Sequence, residues 1–151
     1  MIPSMTDDAW IQQGQQALAA MEPLHFMVGK WTGQGLHQGI VVQGKLEVVA
    51  ILDGSWLRST ETVISLTDQS TTIDISYYRW NDEAKSLQIF QLFEHSHLNT
   101  LLVEPTDTGF RWITGPMAPQ LHFEKTPTGF RYRARFEGQA DAITEMNYVP
   151  E

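Results

Sequence analysis

The feature that most constrains the fold of this chain is a succession of short β-type segments that begins after Pro23. In these segments β-branched and aromatic residues alternate with polar ones, and turn residues interrupt them roughly every 8 to 12 positions, as in antiparallel barrels and sandwiches. The clearest turns contain residues that tolerate positive φ: Asp53-Gly54, Asn81-Asp82, Thr108-Gly109 and Thr128-Gly129. No gap is long enough for a crossover helix, so consecutive strands must be mainly antiparallel neighbours.

The pattern predicts an all-β fold in which about ten strands form an antiparallel up-and-down meander. The predicted strands span residues 30–39, 42–52, 55–65, 71–80, 86–95, 98–104, 110–114, 120–125, 130–137 and 142–149.

One amphipathic helix precedes the strands. Thr6 is a candidate N-cap, Pro23 ends the helical pattern, and five apolar residues share one face: Trp10, Ile11, Ala17, Leu18 and Met21. Gly14 and several glutamines make this helix marginal by itself, so it must dock on something larger. We therefore expect residues 1–23 to pack on a single β-barrel domain formed by residues 24–151.

The composition limits the partners of the chain. A net charge of -8 repels phosphate backbones and anionic lipid headgroups, which argues against nucleic acid and membrane partners. The absence of cysteine removes thiolate chemistry and fits a reducing compartment. The first residues do not resemble a secretory signal, and no apolar stretch approaches the roughly 20 residues of a membrane helix. We expect a cytoplasmic protein, and the sequence leaves both a monomer and a homodimer open.

Residues 24–35, LHFMVGKWTGQG, contain three glycines that either wrap a phosphate or let a strand bend. The phosphate-binding motifs need a further glycine or a Gly-Lys-Ser/Thr sequence before a helix, and this stretch has neither. In a strand, Trp31, Gly33 and Gly35 fall on one face. We interpret the stretch as a barrel strand whose tryptophan closes one end, while its glycines permit sharp bending and leave empty volume inside.

The segment VGKWTGQG resembles the glycine-x-tryptophan opening of the calycin superfamily, which contains the lipocalins and the fatty-acid-binding proteins. Its extended glycine pattern is similar to the bacterial lipocalin-like domains of uncharacterised function and to the nitrobindin-like haem proteins. The stretches ILDGSWLRSTE and YYRWNDEAKSL are similar to two later blocks of those bacterial domains. The resemblance implies a calycin-like barrel that binds a small molecule in its interior.

The chain also departs from two of these groups. Nitrobindin-like proteins continue with tyrosine-proline and carry a haem-ligating histidine in the last strand, whereas here Leu36 and His37 follow the glycines and residues 142–149 contain no histidine. We therefore expect neither haem nor another cofactor. The arginine-x-tyrosine clamp with which fatty-acid-binding proteins hold a carboxylate is not matched either, because Arg131-Tyr132-Arg133 stands near the end of this chain.

The resemblance and the many aromatic residues indicate a set of residues that would contact a ligand inside the barrel: Trp31, Gly33, Gly35, Trp56, Arg58, Tyr78, Trp80 and Arg133. Arg133 shares one face of its strand with Arg131 and Arg135. These arginines either lie outside, solvated or paired with acids, or form an inward fork that binds a carboxylate. In lipocalins an arginine packs over the tryptophan of the first strand, and one of these three resembles it in position.

Two further groups are candidates for chemistry. In strand 71–80, Asp74 is either an outward, solvated charge, which is the commoner case, or an inward carboxylate beside Tyr78 and thus a general base. His95 and His97 lie two positions apart and would form a metal site if His122 pointed the same way. Exposed or hydrogen-bonded histidines are the simpler interpretation, so we expect no metal.

Three functions remain open. The first is binding of a small apolar or amphipathic molecule in the barrel, without chemical change, through a mouth beside the N-terminal helix. The second is an isomerase, cyclase or decarboxylase type of enzyme, for which Asp74, Tyr78, Arg58 and Arg133 are the candidates. The third is a protein-interaction scaffold, which predicts an exposed apolar patch and no cavity. An inward acid with a shifted pKa favours an enzyme, and a wholly apolar interior favours a carrier.

Overall fold

The computed structural model describes residues 7–93 and 97–151 and contains one closed antiparallel β-barrel preceded by one α-helix. The helix α1 is Asp7–Met21, and a 3-10 helix, Glu22–Met27, follows it directly. The strands are β1 Gly29–His37, β2 Ile40–Ile51, β3 Trp56–Ser65, β4 Thr71–Asn81, β5 Ser86–Phe93, β6 His97–Pro105, β7 Gly109–Ile113, β8 Gln120–Thr126, β9 Gly129–Arg135 and β10 Thr144–Pro150.

Each strand pairs with its neighbours in the sequence, and β1 closes the barrel by pairing with both β2 and β10. This confirms the predicted meander, because short turns leave antiparallel pairing as the only option. Closure also gives every strand a hydrogen-bonding partner on each side, so the barrel has no free edge. The predicted strand ends agree with the observed ones to within about two residues.

The α-helix ends at Met21, just before Pro23, as predicted, but a 3-10 helix that the sequence did not predict continues from it. Pro23 stands at the start of this 3-10 helix, where its missing N–H costs no hydrogen bond. Only the C-terminal part of the segment is well docked: Met21, Leu24 and Met27 are at most 2% exposed, whereas Trp10 and Ile11 are at least 50% exposed. The apolar face of α1 is therefore only partly covered.

The 3-10 helix fills one end of the barrel, which we call the helix end. Met27 accepts a hydrogen bond at its backbone oxygen from Trp31 Nε1, at 2.7 Å, and this bond fastens the 3-10 helix to β1. Trp31 in turn packs edge-on against Phe130, with ring centroids 4.9 Å apart. The other buried side chains at this end include Val48, Leu57, Leu87, Val103 and Phe110. The helix end is thus a conventional close-packed core.

Among the residues that the structure describes, no helix is both long and apolar enough to cross a membrane.

Candidate functional site

A cavity of about 260 Å³ occupies the interior of the barrel beyond this core, and we call it the lumen cavity. Its wall is apolar on one side and polar on the other. The apolar lining residues are Met27, Val42, Leu46, Val63, Trp112, Leu121, Phe123, Ala134 and Met146. The lining residues with polar groups are His37, Ser59, Glu61, Thr72, Asp74, Ser76, Tyr78, Gln91, Tyr132 and Thr144.

The polar side of the lumen cavity comes from β3 and β4, which place alternate residues inside. Glu61 on β3 is the cross-strand partner of Asp74 on β4, and Ser59 is the partner of Ser76. Directly opposed residues in such a pair have Cβ atoms roughly 5 Å apart, so the two carboxylates are close neighbours. The expectation that Asp74 points outward is wrong. Register decides this, because Tyr78 on the same face is 2% exposed and belongs to the core.

Glu61 is held by two tyrosine hydroxyls from the opposite wall. The Tyr132 hydroxyl donates to the carboxylate, with its oxygen 2.9 Å from Oε2 and 3.0 Å from Oε1, and the Tyr148 hydroxyl donates to Oε2. These strands are β9 and β10, so the hydrogen bonds span the barrel from wall to wall. The carboxylate is consequently fixed in one place.

Asp74 is held by donors from its own strand and from β5. Ser76 Oγ donates to Oδ1 at 2.9 Å, and Gln91 Nε2 donates to Oδ2. Deeper in the barrel, Trp112 Nε1 donates to the Tyr78 hydroxyl oxygen at 3.2 Å. The polar groups of the cavity thus form defined pairs rather than a loose cluster.

The glycines of β1 and β2 explain how Tyr148 reaches Glu61. A Cβ atom on Gly33 would meet the Tyr148 ring at 2.7 Å, and a Cβ atom on Gly44 would collide with the Tyr148 hydroxyl. A Cβ atom on Gly35 would meet Met146 Sδ at 2.7 Å. The sequence predicted that the interior glycines would leave empty volume inside the barrel, and this prediction is wrong. They make room for the β10 backbone at Glu145 and Asn147 and for two side chains of that strand.

Burial changes the acid strength of both carboxyl groups. It raises the pKa of Glu61 to about 7, against the opposing effect of the hydrogen bonds from Tyr148 and Tyr132 and with a smaller contribution from the charge of Asp74. Burial also raises the pKa of Asp74, although the hydrogen bonds from Gln91 and Ser76 oppose it. Glu61 therefore exchanges a proton near neutral pH.

The tyrosines around the carboxylates stay protonated. Burial is the largest cause that raises the pKa of Tyr78, Tyr132 and Tyr148, and the negative charge of Glu61 adds to it in each case. These hydroxyls consequently keep the proton with which they act as donors across the physiological range of pH.

The arginines of β9 lie outside the barrel, which corrects the prediction that Arg133 contacts a lumen ligand. Arg131 and Arg133 both pair with Glu124 on β8, with nitrogen to oxygen distances of 3.0 and 3.1 Å. Their strand neighbours Phe130, Tyr132 and Ala134 face inward. An arginine on the outer face also cannot pack over Trp31, whose ring lies in the core.

Arg58 and Trp56 are likewise on the outer face, so the prediction that they line the lumen is wrong. Both alternate with Leu57, which is completely buried inside. Trp56 stacks with Phe90, with ring centroids 6.1 Å apart, and the Arg79 guanidinium lies 5.6 Å from each of these two rings. The aromatic pair serves as an outer-surface cation–π contact.

The remaining predicted site residues face inward, but only one reaches the cavity. Tyr78 lines it. Trp31 and Trp80 pack with the core at the helix end. Gly33 and Gly35 are covered by the β10 side chains. The predicted set thus contains residues of the core and the outer face together with one residue of the cavity wall.

The access to the lumen cavity also differs from the prediction. Met27 of the 3-10 helix is its floor and is 2% exposed, so the 3-10 helix that follows α1 closes that end. The exposed lining residues, His37 at the end of β1 and Thr72 at the start of β4, lie at the opposite end of the barrel. The mouth is therefore at the end away from the helix.

Two members of the candidate histidine site, His95 and the side chain of His97, lie outside the described residues. His122 stands on β8 opposite Arg111 and Arg133 on the outer face. Burial lowers the pKa of His122, and the positive charges of Arg135, Arg111 and Arg133 lower it further. Within the described part of the chain, no group of three or more acidic or histidine side chains is placed to hold a metal ion.

Sequence reasoning missed Glu61, Tyr148 and Met146. In residues 56–65 the alternation mixes leucine, serine, glutamate and valine on one face, so periodicity does not separate an inner from an outer side. The usable signal was the even spacing between Leu57 and Glu61, which places both side chains on the same face of the strand, and Leu57 is a core residue.

Neither the comparison with models of known protein families nor the search of curated proteins returns a match for this chain. The calycin resemblance therefore stays a prediction.

Proposed function

We propose that this barrel binds a small amphipathic molecule in the lumen cavity. The observation that carries the proposal is the cavity itself, about 260 Å³ of space inside a closed barrel, with an apolar wall facing a polar one. Ligand sites combine a mainly apolar lining with a few fixed polar groups that orient the ligand. The volume lies just below the ~300–1,000 Å³ of typical sites for drug-sized ligands, which favours a compact molecule.

The fixed polar groups favour binding of a ligand in one orientation. Glu61 and Asp74 are each held by two donors, so a ligand would meet them already positioned and would not have to order them. The apolar wall, which includes Trp112 and Phe123 with ring centroids 5.5 Å apart, would receive the apolar part of the ligand. We propose further that the barrel is calycin-like, which its N-terminal helix, its Gly-x-Trp strand and its antiparallel closure support.

An enzyme is the second candidate, because one observation favours it. The pKa of Glu61 near 7 suits a general acid or base at neutral pH, and the neighbouring Asp74 supplies a second carboxyl group. Such an enzyme would also have to bind its substrate in the lumen cavity, so binding is the function that both candidates share.

The first experiment is native mass spectrometry of the freshly purified protein beside a denatured control. We expect an excess mass that disappears on denaturation, or saturable quenching of the tryptophan fluorescence, to which Trp112 in the cavity wall contributes, when small amphipathic molecules are added. A matched pair of variants assigns the site. Val63→Phe places a ring in the cavity, while Val41→Phe makes the same change on the exposed outer face of β2.

The two variants decide the result. Binding that Val63→Phe abolishes and Val41→Phe preserves would support the lumen cavity as the site. Binding that both variants retain would place the ligand elsewhere and contradict the proposal. The absence of any bound mass and any quenching would contradict it as well.

A further inference from the structure

We propose that the molecule bound in the lumen cavity carries a protonated amine, which lies between the carboxylates of Glu61 and Asp74. This inference rests on the proposed binding function and adds the chemical class of the ligand. Charge complementarity is its first support. Apart from tyrosines, the lining residues with acidic or basic side chains are these two acids and His37 at the mouth.

The basic side chains near the cavity strands point away from it. Arg131 and Arg133 pair with Glu124 outside, and Lys45 pairs with Glu151 at 3.1 Å on the outer face of β2. An anionic ligand would therefore enter a low-dielectric space that already holds two acids and that no arginine or lysine side chain lines. A cation would neutralise part of that charge.

Unused acceptor positions on the two carboxylates are the second support. An ionised carboxylate offers roughly four lone-pair sites. Glu61 receives hydrogens from two tyrosine hydroxyls, and Asp74 receives them from Ser76 and Gln91. Each carboxylate thus keeps acceptor sites free, and a primary ammonium group has three N–H donors with which to bridge them.

The apolar part of such a ligand has a matching surface. Trp112 and Phe123 form a stacked aromatic pair on the cavity wall, and the face of an aromatic ring attracts a cation or packs against an apolar group. Met146 and Leu46 complete that side. A compact aromatic or branched amine would place its charged end on the acids and its carbon skeleton on these residues.

Binding of an amine should be coupled to the proton on Glu61. The groups that face this carboxyl are Asp74 from β4, Tyr132 from β9 and Tyr148 from β10, while Tyr78 and the mouth residue His37 line the same cavity. A cation stabilises the ionised carboxylate, so binding of the amine near pH 7 would release, on average, a fraction of one proton per protein molecule to the solvent. Binding of a neutral ligand would release none.

Isothermal titration calorimetry with three probes of similar shape tests the inference: 2-phenylethylamine, 2-phenylethanol and 3-phenylpropionate. We expect the amine to bind at least tenfold more tightly than the alcohol at pH 8 and the carboxylate to bind more weakly than both. Titrations in buffers of different ionisation enthalpy should detect proton release at pH 7 for the amine alone. Because binding requires ionised Glu61, affinity for the amine should rise roughly tenfold from pH 6 to pH 8.

Charge-removing variants supply the control. Glu61→Gln keeps the shape of the side chain and should reduce affinity for the amine at least tenfold at pH 8, with affinity for the alcohol unchanged within twofold. Glu47→Gln makes the same change in net charge on the exposed outer face of β2 and should alter neither affinity.

The outcomes separate the inference from the proposed function. Equal affinity for amine and alcohol, both sensitive to Val63→Phe, would overturn the amine assignment and leave lumen binding intact. Preference for 3-phenylpropionate would overturn it in the same way. Failure of all three probes to bind the wild-type protein would overturn the amine assignment, and a purified protein that also carries no bound mass would overturn both proposals.

Discussion

The substitution Glu61→Gln tests the electrostatics of the lumen cavity through the stability of the protein. Glutamine has nearly the same shape as glutamate, carries no charge and can still accept a hydrogen bond from Tyr132 or Tyr148. In the wild-type protein, the pKa of Glu61 rises from 4.5 to about 7 on folding, chiefly because the group is buried. The folded state therefore binds this proton more tightly than the unfolded state does.

The sign and size of the effect follow from that difference in pKa. The stability that the protonated group confers is fully present below pH 4.5 and is lost as the pH rises to about 7. A pKa difference of this size corresponds to about 3 kcal/mol, and solvent access through the cavity reduces it to about 2–3 kcal/mol. We expect the free energy of unfolding of Glu61→Gln, relative to that of the wild type, to increase by about this amount between pH 5 and pH 8.

Urea unfolding of both proteins from pH 5 to pH 8.5 measures this difference, and Glu47→Gln is the control that removes the same charge from an exposed position on β2. Asp74 also has a raised pKa, but its contribution is present in both proteins and largely cancels. A difference between wild type and Glu61→Gln that stays constant with pH, or that falls as the pH rises, would refute the assignment of Glu61 as a buried carboxyl group.

Three further predictions concern the residues that support the site. Tyr148→Phe removes a donor to Glu61, so the pKa of that carboxyl group should rise above about 7 in an NMR titration, and a fall would contradict the hydrogen bond. Gly44→Ala should destabilise the protein by about 1–3 kcal/mol because its methyl group displaces Tyr148, whereas Gly115→Ala, where a Cβ meets nothing within 4 Å, should be near neutral by urea unfolding. Trp31→Phe loses the bond that fastens the 3-10 helix and should cost about 1–3 kcal/mol, with faster hydrogen exchange in residues 22–27, and unchanged exchange there would argue against that tether.

The sequence determined the strand order because local signals are sufficient for it. Turn residues such as Asp53-Gly54 recur at short intervals, and short turns force neighbouring strands to pair in antiparallel fashion. The Gly-x-Trp strand was also recognisable, since Trp31 and the alternate glycines share one face in any strand. Both inferences depend only on residues close together in the chain.

The orientation of each strand in the barrel was harder to infer. In residues 71–80 both faces carry aromatic or β-branched residues, so burial is not encoded in the alternation. The sequence left both orientations of Asp74 open and favoured the outward one, which the structure does not show. On β9 the alternation of arginine with aromatic residues was clear, but the interpretation with the arginines outside was only one of two. Pairing with Glu124 on β8 decided it.

Tertiary structure alone decided the site. In the sequence, Glu61 lies at least 71 positions from either Tyr132 or Tyr148. The three residues meet only because closure of the barrel brings β9 and β10 opposite β3. The pKa of Glu61 is a property of that enclosed space, since burial is its main cause. A local pattern specifies which residues of one strand lie on the same face. The chemical environment of each residue depends on other strands, which the pattern does not contain.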